Sequence, residues 1–527
     1  MYQSATHITL LFLAIILALG TFLRLYRIGE NGLWIDEAFS IWMGRQPVGE
    51  MLNWLVRIDQ HPPLYYLLLH LWMRLGKGEA IVRALSALCS TLTIPAIYFL
   101  GRRLAGRRLG LLAALILAVS PFHVHLAQEA RMYSLLALNA SLALYALACL
   151  LTDPRAAKLA LGRQTIDFWR MWRATCRRPP LRTIETDLAW LAYALFTAAT
   201  LLTHNMAVFF PLATNVFVFS WLLIYRLFPS PSQTPTLFPR NWLLAQAGIF
   251  LLWLTWLPAF ISQSMGVYRE FWLPPPTLET VVGTVGVFVS EFLPLPLWGF
   301  WIAGAFCMAL VVMSVVYFGH RPARAAFLLV VFAAPILGAW LVSLRCRIFY
   351  DRTLIWASLP LYVLLAAGIC RLRRWPLVLA GLLMVLAANG LSLHEYYVHF
   401  EKEEWDDAAA FVAQRAEPDD LILFNATWMQ LPFDYYFHRL NDVPVVEHGV
   451  PVDLFDRDVL EPKMAESDLP YLRDLVSDRD RVWLVYSHYW YTDPDGLIPP
   501  ALEGALDLQD RWEFYGVQVW LYAAPPD

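Results

Sequence analysis

The chain is dominated by repeated runs of about 20 mostly apolar residues, the length an α-helix needs to cross the hydrocarbon of a bilayer. In lipid every backbone N–H and C=O must be satisfied within the segment, so such runs fold as helices. The runs lie at 8–26, 80–100, 109–122, 132–151, 188–202, 206–227, 242–261, 298–318, 325–344, 353–370 and 375–393. They predict about eleven spans. Two further apolar stretches do not fit. Residues 64–73 are too few, and 281–297 is broken by Glu291, Pro294 and Pro296. Both read as interfacial or re-entrant helices. Composition agrees. Of 527 residues, 58% are hydrophobic and 16% charged, against about 45–50% and about 25% in soluble domains. That excludes a soluble enzyme, a nucleic-acid binder and a disordered scaffold. The net charge of −3 excludes a strongly basic partner surface. The six cysteines show no C-x-x-C spacing, so they indicate neither a zinc site nor a disulfide framework.

Basic residues predict the orientation. Arg102, Arg103, Arg107 and Arg108 follow the second span. Arg155, Lys158, Arg163, Arg170, Arg173, Arg177, Arg178 and Arg182 follow the fourth. Arg226 and Arg240, then Arg321 and Arg324, then Arg371, Arg373 and Arg374 continue the alternation. If these loops are cytoplasmic, the N-terminus is inside and the region after 393 is outside. The expected location is the plasma (inner) membrane. The first span lacks a preceding basic residue and a convincing cleavage site, so it is expected to stay as an anchor. Arg24 and Arg27 at its outer end oppose the rule.

Composition changes after residue 393. Residues 394–527 are rich in Asp and Glu and carry strand-like runs at 420–425, 481–487 and 515–523, with a helical spacing at 405–415. The expectation is an all-α polytopic membrane bundle over 1–393 and a small extracytoplasmic α/β domain over 394–527. The aromatics Trp428, Tyr435 and Tyr436 would suit carbohydrate stacking if exposed, although such residues more often form core.

Three polar clusters fall on the predicted outer face. The first loop holds Trp34-Ile35-Asp36-Glu37 and His61-Pro62-Pro63-Leu64-Tyr65-Tyr66. Paired acids suit general-base work, but acids at a helix start are also favoured by the dipole alone. The turn from Ser120 to Tyr133 brings His123, His125, Glu129 and Arg131 together. A lone H-x-H is a weak metal signal. A carboxylate that deprotonates a hydroxyl or carries a metal, beside a guanidinium that holds a phosphate leaving group, is a coherent alternative to an interfacial ion pair. Arg345, Arg347 and Arg352 with Asp351 form the third cluster, fit for an anionic lipid phosphate, and Arg24 joins them as a candidate. Thr203-His204-Asn205 is a weaker outer-edge candidate and reads first as a helix-end cap.

Arg24-Leu25-Tyr26, Trp34-Ile35-Asp36-Glu37, His61-Pro62-Pro63-Leu64-Tyr65 and Gln128-Glu129-Ala130-Arg131-Met132-Tyr133, in this order, resemble the bacterial family 39 glycosyltransferases. These are similar to protein O-mannosyltransferases and to the aminoarabinose transferase of lipid A, and belong to the GT-C class. The resemblance covers roughly the first four hundred residues. It implies an inverting transfer of one sugar from a polyprenyl-phosphate donor to an extracytoplasmic hydroxyl of a protein, lipid or envelope glycan. Asp36 falls on the general base, with Glu37 as its partner. Glu129 would orient the donor, and Arg131 would pair with its phosphate. Arg24, His61, Tyr133, Arg345, Arg347 and Arg352 are counted with the substrate-binding residues. No cofactor is certain, and a divalent metal stays open. The rivals are a lipid or solute transporter or flippase, an oligosaccharyltransferase, and a receptor in which the acids are idle. A transporter would carry its charges near the bilayer midplane, often in repeated halves.

Overall fold

The computed structural model describes residues 2–152, 184–227, 239–269, 273–425, 427–454, 456 and 462–525. The basic loop from Arg155 to Arg182 lies outside the described residues. The helices that build the membrane region run in chain order α1 (Tyr2–Leu25), α2 (Ile35–Arg45), α3 (Val48–Arg57), α4 (Leu64–Trp72), α5 (Glu79–Ala105), α6 (Arg107–Ala118), α7 (Pro121–His125), α8 (Tyr133–Leu151) and α9 (Ile184–Leu201). They continue as α10 (Phe209–Leu227), α11 (Pro239–Trp253), α12 (Leu257–Arg269), α13 (Leu278–Ser290), α14 (Leu297–Tyr317), α15 (Pro322–Ser343), α16 (Ile355–Arg371) and α17 (Trp375–His399).

Among the described residues eight helical segments are long and apolar enough to cross a membrane, and the pair Arg240–Trp253 and Leu257–Gly266, bent by 73°, makes nine if it is one broken span. The expectation of about eleven counted two more runs, and each of the two falls short for a local reason. α6 has only 12 residues, because the chain breaks at Val119 and Pro121 opens α7. α9 has 18 residues but begins with Glu185 and Asp187, which dilute its apolar length. The two doubtful stretches are short helices. α4 has 9 residues, and α13 has 13, opened by a Thr277/Thr280 capping box and ended at Glu291.

The chain divides into two compact units. Unit 1 comprises Met1–Tyr26, His61–Tyr65 and Arg83–His399. Its centre is α16, apolar on every side and almost wholly buried, as expected of a helix with no polar face. α14 packs on it so closely that a Cβ on Gly368 would run into the Leu310 carbonyl. Small residues allow this approach where lipid supplies no hydrophobic drive between helices. The two ends of this bundle differ. Arg324 donates to the Leu104 carbonyl, and Arg107 Nη2 to Thr6 Oγ1 at 3.0 Å, so the basic ends of α5, α6 and α15 gather at the N-terminal end of α1. At the other end of α1, Gln128 Nε2 donates to the carbonyls of Tyr26 (2.7 Å) and Arg24 (3.2 Å). The turn Ser120–Tyr133 therefore sits about 30 Å from the basic end, the rise from Thr6 to Tyr26 at 1.5 Å per residue.

Unit 2 comprises Arg27–Gln60, Tyr66–Val82 and Phe400–Asp527. Its sheet has the order β2-β1-β3-β5-β4, from β1 (Leu421–Phe424), β2 (Val446–Gly449), β3 (Arg481–Tyr486), β4 (Asp507–Phe514) and β5 (Val517–Ala523). β2, β1 and β3 are parallel, and β5 is antiparallel to both β3 and β4. β1 is buried on both faces, which explains its unbroken Leu-Ile-Leu-Phe. Ile422 and Phe424 face one core with Trp405 and Trp483, while Leu421 and Leu423 face another with Leu484 and Tyr522. Helices α18 (Trp405–Ala413) and α19 (Gln430–Leu440) cover the first of these cores. β4 escapes a sequence reading because Asp507-Leu508-Gln509-Asp510-Arg511 is a charged, exposed edge strand.

The boundary expected at 393/394 follows hydropathy, whereas compactness also places 27–60 and 66–82 with the sheet. Ile35 belongs to the same apolar cluster as Trp405 and Phe433. Leu33 N donates to Tyr436 Oη at 2.8 Å, and Tyr435 Oη to the Lys77 carbonyl at 2.7 Å. Tyr435 is thus buried, and Trp428 and Tyr436 pack against the core, so they are not an exposed stacking surface.

Candidate active site

In unit 2, Trp34 has extended backbone and α2 starts after it, which puts Asp36 and Glu37 in the first turn, where the helix dipole favours negative charge. Neighbouring helical residues point about 100° apart, and the two acids part company. Glu37 turns inward, fully buried, and its Oε2 takes Lys402 Nζ at 2.9 Å, with Lys402 itself 5% exposed. Asp36 stays half-buried, and its carbonyl accepts Ser40 Oγ at 2.9 Å. Nothing in the sequence singled out Lys402, one cation in an acidic run.

In unit 1, Ser120 caps the N-terminus of α7, and Gln128 holds the following turn to the end of α1 while its Oε1 accepts Tyr396 Oη at 2.8 Å. This fixes His125 and Glu129 one turn apart. His125 Nε2 lies 3.2 Å from Glu129, and Nδ1 lies 3.1 Å from Glu291 at the end of α13. The rings of Phe292 and Tyr396 flank the imidazole at 5.2 and 5.4 Å. Burial opposes a charge here, but Glu291 and then Glu129 outweigh it and raise the His125 pKa to about 10. His125 is therefore an imidazolium shared by two carboxylates. Glu291 had registered in the sequence only as a break in an apolar stretch.

A second group on the same unit is cationic. Arg131 is buried at 4% exposure. The Arg352 guanidinium lies over Tyr350 at 4.5 Å and over Tyr133 at 5.5 Å, a cation–π arrangement. The His204 ring is 5.0 Å from His61 and 6.0 Å from Tyr133. Burial, and then the charges of His61, Arg131 and Arg352, hold the His204 pKa well below its usual value. Its Nδ1 accepts the Met206 N–H at 3.0 Å, so the proton of this neutral ring sits on Nε2. That Nε2 is buried with no partner among the described residues. His204 does cap, as its position suggested, and it also leaves a buried donor beside two guanidiniums.

The remaining candidates stand apart from this group. Arg24 is fully buried and donates to Ser90 Oγ (2.8 Å) and to the carbonyls of Gly20 and Ala118 (both 2.9 Å) and Leu117 (3.2 Å). It joins α1 to the end of α6, which accounts for a cation on that side of the first span. Arg345 and Arg347 are exposed in the segment between α15 and the Asp351–Leu354 turn.

Residues 60–162, which contain both the His61 turn and the Ser120–Tyr133 turn, match the family model for dolichyl-phosphate-mannose-protein mannosyltransferase. No curated protein matches the sequence. The fold is similar to that of ArnT from Cupriavidus metallidurans in its apo state, with a TM-score of 0.61 and 15% identity over 99% of this chain and 100% of that one. It is also similar to the Archaeoglobus fulgidus oligosaccharyltransferase tethered to an acceptor peptide, with a TM-score of 0.54 and 12% identity over 99% and 74% of the two chains. The same archaeal enzyme, AglB, in complex with an inhibitory peptide and a dolichol-phosphate gives 0.52 and 13% over 98% and 74%. Residues 60–162 are thus similar to the protein mannosyltransferase family, and the chain as a whole has an ArnT-like, multi-pass membrane architecture.

Proposed function

We propose that the protein moves a single sugar from a polyprenyl-phosphate donor to an acceptor hydroxyl on the extracytoplasmic side, with inversion at the anomeric carbon. The observation that carries this reading is the group formed by buried Arg131, half-buried Arg352 and the buried His204 Nε2–H, at the end of the bundle remote from the basic termini. When the anomeric C–O bond breaks, its electron pair leaves with the polyprenyl phosphate. Fixed donors in a water-poor site stabilise that charge far better than water-exposed ones. Two arginines and a neutral imidazole N–H supply them. The family description and the dolichol-phosphate bound to AglB support a lipid-phosphate carrier.

The acceptor oxygen forms the new bond to the anomeric carbon and gives its proton to Asp36, the half-buried acid in the first turn of α2. Glu37 keeps α2 in place through Lys402. Glu129 orients the donor sugar, and His125 and Glu291 orient Glu129. His61 and Tyr133 line the phosphate group beside His204. Arg345 and Arg347 attract anionic lipid from outside the group, and Arg24 is structural. The basic ends of α5, α6 and α15 face the cytoplasm.

A transfer assay in membranes tests the reading, with radiolabelled polyprenyl-phosphate hexoses and pentoses offered to the wild type and to Asp36→Asn. General-base removal should lower kcat by about 10²–10⁴ at unchanged expression. Equal turnover in the two proteins would remove Asp36 from its role.

A further inference from the structure

The second polar cluster of unit 2 is remote in sequence from every residue assigned above. On α19, Gln430, Asp434 and His438 follow at four-residue intervals and so share one helix face. Parallel pairing of β2 with β1, in which Ile422 is opposite Glu447, brings the Glu447 side chain to the same place. Ligand atoms of Asp434, His438 and Glu447 all lie within 4.8 Å of one another.

The hydrogen bonding of this cluster is lopsided. Asp434 Oδ1, Glu447 Oε1 and Gln430 Oε1 are all buried with no donor among the described residues. Buried acceptors are almost always satisfied, and three unsatisfied in one cluster call for a missing positive partner. Gln430 Nε2 reaches Glu447 Oε2 only at 3.4 Å, and His438 Nε2 reaches the same oxygen at 3.4 Å. A charge-assisted hydrogen bond would close to about 2.7–2.9 Å. Two ligands on a tetrahedral ion with bonds of about 2.1 Å stand about 3.4 Å apart. His438 is 57% exposed at its side chain, which leaves solvent a route to the cluster.

We propose that Asp434, His438 and Glu447, with Gln430 beside them, form a binding site for a divalent transition-metal cation such as Zn²⁺ or Mn²⁺. One imidazole and two carboxylates suit these ions, whereas Ca²⁺ takes six or more oxygens. The ion ties α19 to β2. α19 also carries Tyr435 and Tyr436, whose hydroxyls hold the segments around Lys77 and Leu33, so the ion stiffens the support of the Asp36-bearing loop.

The test uses the full-length protein in detergent, stripped with EDTA and titrated with Zn²⁺ and with Mn²⁺. Bound metal is counted by mass spectrometry, and thermal unfolding is followed with and without the ion. Exposed His394 and His399 with half-buried Glu395 on α17 give a background that His394→Ala/His399→Ala removes from every sample. The wild type should bind one ion per chain and unfold at a higher temperature with it. His438→Ala and Glu447→Gln should weaken binding by at least about 10-fold and lose the temperature shift. Asp434→Asn separates a lost site from a lost fold. It removes like-charge repulsion, so the metal-free variant should be at least as stable as the metal-free wild type, yet bind no ion. Metal content equal in the wild type and all three variants, or no metal in the wild type, would overturn the site. None of these readouts uses sugar transfer, so the result is independent of the proposed reaction.

Discussion

At the scale of single residues, one acid–base triad sets the electrostatics of the Ser120–Tyr133 turn. His125 carries its charge because two carboxylates outweigh its burial. The sign of the resulting pH dependence follows. Its folded pKa of about 10 lies above the ordinary 6.5, so the stabilisation is complete below about pH 6.5 and is lost as pH rises towards 10. Thermal unfolding of the detergent-solubilised wild type should therefore fall in temperature between pH 7 and pH 10. In Glu291→Gln that slope should flatten. A parallel slope in the two proteins would mean that His125 is neutral. The neighbouring His204 works in the opposite sense. Burial first, and then His61, Arg131 and Arg352, disfavour its charged form and leave a neutral ring whose Nε2–H can donate.

At the scale of elements, the first turn of α2 shows how one dipeptide supports two tasks. Asp36 and Glu37 are adjacent in sequence, yet one is half-exposed and the other closes a buried ion pair with Lys402. Removing one partner of such a pair leaves a buried charge uncompensated, at a cost of about 3–5 kcal/mol. Lys402→Met should thus destabilise unit 2 strongly and shift the position of α2. The double variant Lys402→Met/Glu37→Gln should recover much of that stability, because no uncompensated charge remains. Limited proteolysis of the 27–60 segment, compared across the two variants, reads the difference directly. Equal cleavage in both would show that the pair is not what holds α2.

At the scale of the whole molecule, the distribution of charge within unit 1 makes a directional prediction. Basic side chains gather at one end of the bundle, while buried Arg131 and His204 and half-buried Arg352 lie at the other. A photoreactive polyprenyl phosphate should cross-link to peptides containing Arg131 or Arg352, and Arg131→Ala should abolish those adducts while the protein stays folded. Arg131→Ala should also raise the KM for the donor, since a phosphate contact is lost in the ground state as well as in the transition state. Adducts confined to other lipid-facing helices would place the donor elsewhere.

The sequence by itself determined the membrane class, most of the spans, the gathering of basic residues and the polar turns proposed above as the site. Each of these is a local property: apolar run length, charge alternation, or a short motif such as Gln128-Glu129-Ala130-Arg131. It read β1, β3 and β5 from apolar runs but missed β2, a short run with Glu447 and His448, and β4, whose charged edge carries no burial pattern. It counted two more spans than the nine among the described residues, because hydropathy does not see the break at Val119 that shortens α6 or weigh the acids that open α9. Only the tertiary structure decided which partner each charge has. Glu291 meets His125 across 166 positions, and Lys402 meets Glu37 across 365. Arg24 looked like a lipid-facing cation and is instead bound to carbonyls of α6. It also decided that residues 27–60 and 66–82 pack with the C-terminal sheet. The physical reason is common to all of these. A buried charge is stable only beside its compensating group, and that proximity is created by packing distant segments, which no local pattern encodes.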